Sequence, residues 1–237
     1  MINKILNSKA YQIFDFVVRL LILNVLIILI SFSLLIILTT IFDDLPKYVE
    51  LLLLIPTAFT ILPSIVASTA VIKSYVVDKN NGLFKDFFIA FKKYYFKSLL
   101  LSILVVVAYV LLQNSYFYFN NLKLSAPIYM IGYILTISFS LIALFAFIQI
   151  PLVFVYFDGL KIIHYVKLAF ILSFKNLGTS IILLIISVAS IIASYFVQIY
   201  LLLFSFTIVI YFCVLLTKKN YLKITNKLEG ETNEIKN

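Results

Sequence analysis

An all-α bundle held in a lipid bilayer is the fold this sequence predicts, on three observations. Of its 237 residues 64% are hydrophobic and only 12% charged, about half the charged share of an ordinary soluble domain. Uncharged stretches of about 18 residues or more, long enough to cross hydrocarbon, recur along the chain, and the mean hydropathy is +1.14. Seventeen of the nineteen Lys and Arg residues fall in alternate gaps between those stretches. That alternation is the mark of the positive-inside bias, which keeps basic segments on the cytoplasmic side.

The expected architecture is a polytopic membrane helical bundle of six transmembrane helices with two cytoplasmic amphipathic interfacial helices, one integral membrane domain over 1–237. The first span, 17–42, is longer than a signal-peptide core and has no small-x-small cleavage site after it, so it is read as retained. The second, 49–77, contains Pro56 and Pro63; the third covers 99–119; the fourth, 127–157, holds Pro151 near its end. Leu177 to Thr217 is a run of 41 residues without a charge, which as one helix would reach roughly 60 Å, twice the hydrocarbon thickness. It therefore divides into spans 177–196 and 199–217 around a turn near Ser194 to Tyr200, where Tyr195, Gln198 and Tyr200 supply interfacial groups. A disordered tail is expected from about 226 to 237.

The charges test that count. Lys4, Lys9 and Arg19 precede or open span one. Lys73, Lys79, Lys85, Lys92, Lys93 and Lys97 lie from the end of span two through the gap after it. Lys161, Lys167 and Lys175 follow span four, and Lys218, Lys219, Lys223, Lys227 and Lys236 form the tail. Only Lys47 and Lys123 fall in the opposite gaps. Both termini are thus expected in the cytoplasm, which an even number of spans requires. The same distribution accounts for the net charge of +9 through lipid headgroups, with no nucleic acid among the expected partners.

Two of the basic gaps carry helical periodicity. Phe84, Phe87, Phe88 and Phe91 recur at i, i+3, i+4 and i+7 while Lys85, Asp86, Lys92 and Lys93 fall between them, the pattern of a helix lying among headgroups. These four rings form the candidate docking face for a cytoplasmic partner or for lipid. The second gap repeats the idea with Leu160, Ile163, Leu168, Phe170, Ile171 and Phe174. A faint internal repeat pairs Asp78 with Asp158 at the exits of spans two and four, and Ser98 with Ser180 where the next apolar runs begin.

Charge inside a membrane is costly and usually functional, yet the centre of each span is free of it. His164 has no Cys or His at metal-ligand spacing. Five Gly in the whole chain write no phosphate-binding fingerprint, and no Ser is accompanied by a base and an orienting acid. No enzymatic activity and no cofactor is therefore expected. What remains are uncharged polar groups: Asn24 in span one, Ser64 and Ser68 beside Pro63 in span two, and Gln149 with Pro151 in span four. Each is a candidate cavity or helix-packing residue, since an amide in hydrocarbon must find a partner. Asp15 and Arg19, four apart, share a helix face and form an interfacial anchor; Asp78 and Asp158 are anchors of the same kind. Cys213 is read as a packing residue.

Asp15, Arg19 and Asn24 at the start of span one, Pro63 followed by Ala67 and Ala70, and Asp78 followed by Phe84, Phe87 and Phe91 together resemble the YesL-like family of bacterial integral membrane proteins. Pro151 followed by Asp158 and the second amphipathic stretch is similar to that family's later half, and the resemblance covers roughly Tyr11 to Thr225. It implies a multi-pass protein of the bacterial cytoplasmic membrane. Because members are often encoded beside carbohydrate uptake systems, it also implies an accessory role in carbohydrate or other solute transport, with transporter subunits as partners. The alternative is a substrate-binding membrane subunit like those of energy-coupling-factor vitamin transporters. Those are similar in size and helix number, but the alanine-spaced face of their first span is missing from Val17 to Phe42.

Overall fold

The computed structural model describes residues 9–31, 47–121, 126–197 and 203–234. Their regular structure is helical: α1 (Lys9–Ile30), α2 (Lys47–Lys73) extended by a π-helical turn (Ser74–Asp78), α3 (Phe84–Asn121), α4 (Ala126–Tyr156), α5 (Ile162–Lys175), α6 (Leu177–Phe196) and α7 (Ser205–Glu234). Five segments are long and apolar enough to cross a membrane: Tyr11–Ile30, Phe59–Asp78, Phe84–Leu112, Tyr129–Tyr156 and Leu177–Phe196. The expected span 199–217 is described only as the apolar start of α7, Ser205–Thr217. That stretch is roughly 20 Å long, two-thirds of the hydrocarbon thickness. The latter part of the first expected span, from 32 to 42, lies outside the described residues.

The tail is helical as far as Glu234, because Lys227, Leu228, Glu229 and Glu231 are good helix formers and extending a helix needs no new nucleus. The two basic amphipathic segments are also built differently from each other. The first is the opening third of α3, a single helix of 38 residues reaching roughly 57 Å. The second is the separate helix α5, which breaks at Asn176 (φ −115°, ψ 45°) before α6 begins.

α2 lies at the centre, packed most extensively on α3 and also against α1, α4 and α7. Its contact face is made of small groups: Pro63, Ser64, Val66, Ala67 and Ser68 are all buried, which lets neighbouring backbones approach closely. α1 adds Leu20, Leu23 and Ile27, and α3 adds Phe87, Ala90, Tyr94 and Leu101, both at three- and four-residue spacing, so one stripe of each helix faces inward. α4 is divided along its length. Ile150 to Phe157 are all buried, whereas Met130, Ile131, Ile134 and Leu135 are exposed. Its second half is thus enclosed by helices and its first half presents apolar side chains outward, as a lipid-facing surface does.

The exits of α2 and α4 share a device. At each an Asp, Asp78 closing the π-helical turn and Asp158 two residues past α4, is followed at once by a residue in the left-handed region, Lys79 (φ 55°) and Gly159 (φ 85°). After α2 the Ser74 carbonyl accepts from the backbone N–H groups of both Lys79 and Asn80, which closes the π-helical turn. Pro63 and Pro151 sit inside their helices and have no N–H for the carbonyl four residues back.

Gly159 has open space where a Cβ would stand, so an alanine there meets only the left-handed backbone penalty; Gly178, helical and equally open, carries none. Gly159→Ala is expected to lower stability by about 1–2 kcal/mol, and Gly178→Ala to raise it by up to about 1 kcal/mol. Thermal unfolding in detergent reads both, and equal shifts would refute the assignment of the Gly159 conformation.

Candidate functional site

The buried polar groups of the bundle are joined in pairs and chains across helices. The longest chain starts at Tyr221 on α7, whose hydroxyl donates to Gln149 Oε1 on α4 at 2.7 Å. Gln149 Nε2 donates to Ser180 Oγ on α6 at 3.1 Å. Ser180 Oγ in turn donates to the Ser173 carbonyl on α5 at 3.0 Å. Gln149, Tyr221, Ser180 and Ser173 are all essentially inaccessible. Every donor points the same way along this chain, and it ends on a backbone oxygen. Four helices are thus tied at one level without a formal charge. Gln149 joins α4 to α6 and α7; of its partners, Tyr221 carries no sequence pattern that marks it, and Ser180 stood out only as the repeat counterpart of Ser98.

Asn24 does a different job. Its Oδ1 accepts from the backbone N–H groups of Phe206 at 2.9 Å and Thr207 at 3.3 Å, the first turn of α7. Helix starts leave such donors unmatched, and in hydrocarbon no water can serve them. A side chain of α1 therefore caps α7 across the bundle. The Ile208 N–H bonds the Phe204 carbonyl at 3.0 Å, and Ser190 on α6 donates to the Ser205 carbonyl at 2.9 Å. Asn24 is fully buried.

The Pro63 region holds a third link. Ser64 Oγ donates to the Ile61 carbonyl at 2.9 Å and lies 3.2 Å from Ser31 Oγ, so Ser31, at the end of α1, is the donor between the two hydroxyls. Ser68, one turn further, has a buried hydroxyl without a hydrogen-bond partner among the described residues. Pro151 is buried two residues after Gln149.

The anchors cluster at the basic end. Arg19 Nε donates to Asp15 Oδ2 at 2.6 Å. Its Nη1 also reaches the Asn81 carbonyl at 2.8 Å, while the guanidinium lies 5.1 Å from the Tyr75 ring centre. The pair therefore pins the α2–α3 loop onto α1, more than the local anchor expected. Within that loop Asn80 bonds both the Gly82 N–H and Asp86, and the Asp86 carboxylate folds so closely over Gly82 that a Cβ there would displace it. Lys93 pairs with Asp158, and Lys97 Nζ donates to the Leu160 carbonyl at 3.1 Å. Two lysines one turn apart on α3 thus hold the α4–α5 loop. Tyr165, stacked on Phe154 at 4.1 Å, is buried beneath it; burial first, and the nearby Asp158 carboxylate second, raise its hydroxyl above the ordinary phenol range. Asp78 is exposed at the end of its turn.

The four phenylalanines do not form one face. Phe87 is fully buried and Phe91 half-buried, while Phe84 and Phe88 are about half exposed. On α5 the buried side is Tyr165, Ala169, Leu172 and Ser173, and Ile163, Ile171 and Phe174 point outward. A helix at a membrane is apolar toward its neighbours and toward lipid alike, so apolar periodicity does not tell the two apart.

Gln149→Leu strands the Tyr221 hydroxyl, takes from Ser180 the donor it accepts from, and is expected to cost about 1–3 kcal/mol. Combined with Tyr221→Phe it should be less than additive by about 0.6–1.7 kcal/mol, read from thermal unfolding of single and double variants in detergent. Strict additivity would refute the relay. Comparison of the chain with known proteins finds no matching family model, no matching curated protein and no matching solved structure.

Proposed function

We propose that this chain is a non-enzymatic, six-span protein of the bacterial cytoplasmic membrane with both termini in the cytoplasm. It acts as an accessory subunit in solute transport, carbohydrate uptake being the class implied by its resemblance to YesL-like proteins. One observation carries the reading: the four basic segments meet at one end of the bundle. Lys9 before span one, Lys79 after α2 and Lys218 after the apolar part of α7 line the same cleft. Lys93 and Lys97 reach the α4–α5 loop, and Asn220 bonds Asn176 at 3.3 Å. A chain that leaves and returns to one face crosses an even number of times. Five full-length segments and the shorter start of α7, capped at depth by Asn24, supply six.

Support for an accessory role comes from how the interior polar groups are used. Asn24 and Gln149 are engaged in joining helices, which suits a scaffold, while Phe84 and Phe88 stand exposed beside Lys85 and Lys92 at the basic end. That pair of rings, in place of the original four, is the face offered to a cytoplasmic partner.

Two measurements test the reading. A C-terminal green fluorescent protein fusion should fluoresce and a C-terminal alkaline phosphatase fusion should be inactive; the reverse would overturn the topology. Phe84→Ser with Phe88→Ser should reduce cross-linked recovery of a transporter subunit by roughly fivefold or more, as loss of two interface anchors does, with the unfolding midpoint unchanged. Undiminished recovery would overturn the docking face.

A further inference from the structure

One concavity among the described residues is unconnected with the buried amides. It is an open cleft of about 820 Å³ between the start of α1, the π-helical turn after α2 and the middle of α7. Every charged side chain lining it is a lysine: Lys9, Lys79 and Lys218. Its floor is aromatic, with Phe16 stacked 6.0 Å from Tyr75 and tilted 4.7 Å from Tyr211. Ile13 and Leu215 extend it in apolar material, and Gln12 and Asn81 add amides at the rim.

One of the three lysines is placed at a cost. Lys79 holds φ at 55°, a conformation that favours Gly or Asn over a long side chain, and its N–H is committed to the Ser74 carbonyl. Strained positions of this kind concentrate at binding and functional sites. The other two come from opposite parts of the chain, 209 residues apart in sequence by the numbers Lys9 and Lys218, so three separate helices bring cations to one opening.

We propose that this cleft binds an anionic phospholipid, the three lysines holding the phosphate of its headgroup and the Phe16, Ile13 and Leu215 surface receiving the start of its acyl chains. Charge selects the ligand class: a phosphate ester is the anion that clustered lysines at a membrane surface attract. The apolar floor selects lipid over a soluble phosphate, which would leave that surface wet. The inference rests on the membrane reading above only for the presence of lipid at this end. A topology reporter that inverted the termini would overturn the orientation and leave the binding result untouched.

Full-length protein in detergent micelles, titrated with fluorescent phosphatidylglycerol or phosphatidylcholine, tests the site. Phosphatidylglycerol is expected to bind and phosphatidylcholine to bind far less. Lys9→Gln, Lys79→Gln and Lys218→Gln should each weaken phosphatidylglycerol roughly fivefold, and the triple variant on the order of a hundredfold. Lys167→Gln with Lys175→Gln, basic residues of α5 away from the cleft, should leave binding unchanged. If the triple variant does not fold, the natural protein decides: raising salt should release the lipid, because screening weakens exposed charge interactions. Equal binding of the two lipids, unchanged affinity in the folded lysine variants, insensitivity to salt, or displacement by inorganic phosphate at the lipid's own concentration would each overturn the proposal.

Discussion

Hydrocarbon offers a buried polar group no water, so each amide, hydroxyl and helix end at membrane depth has to be matched by another part of the protein. In this chain the buried start of α7 is the clearest case, its first turn lying where α1 and α6 contact it. Asn24 supplies the acceptor for two of its backbone donors, and Ser190 bonds the Ser205 carbonyl. The position of α7 then places Tyr221 opposite Gln149, which in turn sets α4 against α6 and α5. The apolar contacts fill the bundle but do not choose its register. Leucine meets leucine or lipid with little preference, whereas a hydrogen bond at 2.7 Å has one partner.

This division explains what was legible in the sequence. Segment existence was legible because it depends on length and hydropathy: the span expected over 177–196 is α6, Leu177–Phe196, and that over 127–157 is α4, Ala126–Tyr156. The Asp15–Arg19 pair followed from helical spacing. Facing was not legible. Phe84, Phe87, Phe88 and Phe91 looked alike, and only the arrival of α2 and α4 decides that Phe87 turns inward while Phe84 and Phe88 stay out. Of the candidate site, Asn24 and Gln149 stood out as amides in apolar runs. Their partners did not stand out as partners, because the Phe206 and Thr207 backbone carries no sequence signal and the repeat that pairs Ser180 with Ser98 says nothing of what Ser180 bonds.

The basic end is organised by loops that the lysines and Arg19 fasten to other helices. Arg19 holds the loop after α2 to α1 and Lys97 holds the loop after α4 to α3, so the two Asp-terminated exits are braced by different neighbours despite their shared backbone form. Exposed pairs of this sort add little stability one at a time; their effect here is to fix where the positive charges stand.

α3 and the α5–α6 pair differ in one mechanical respect. α3 runs from Phe84 to Asn121 as one helix, while the corresponding path through α5 and α6 is broken at Asn176. A force applied at the Phe84 end is therefore delivered to the far end as by a rigid lever, without a joint to absorb it. The same force on α5 meets the break at Asn176, where the Ser180–Ser173 hydrogen bond is a link into α6. One bundle thus carries both a continuous shaft and a jointed one, and of the two only α3 runs unbroken along its length.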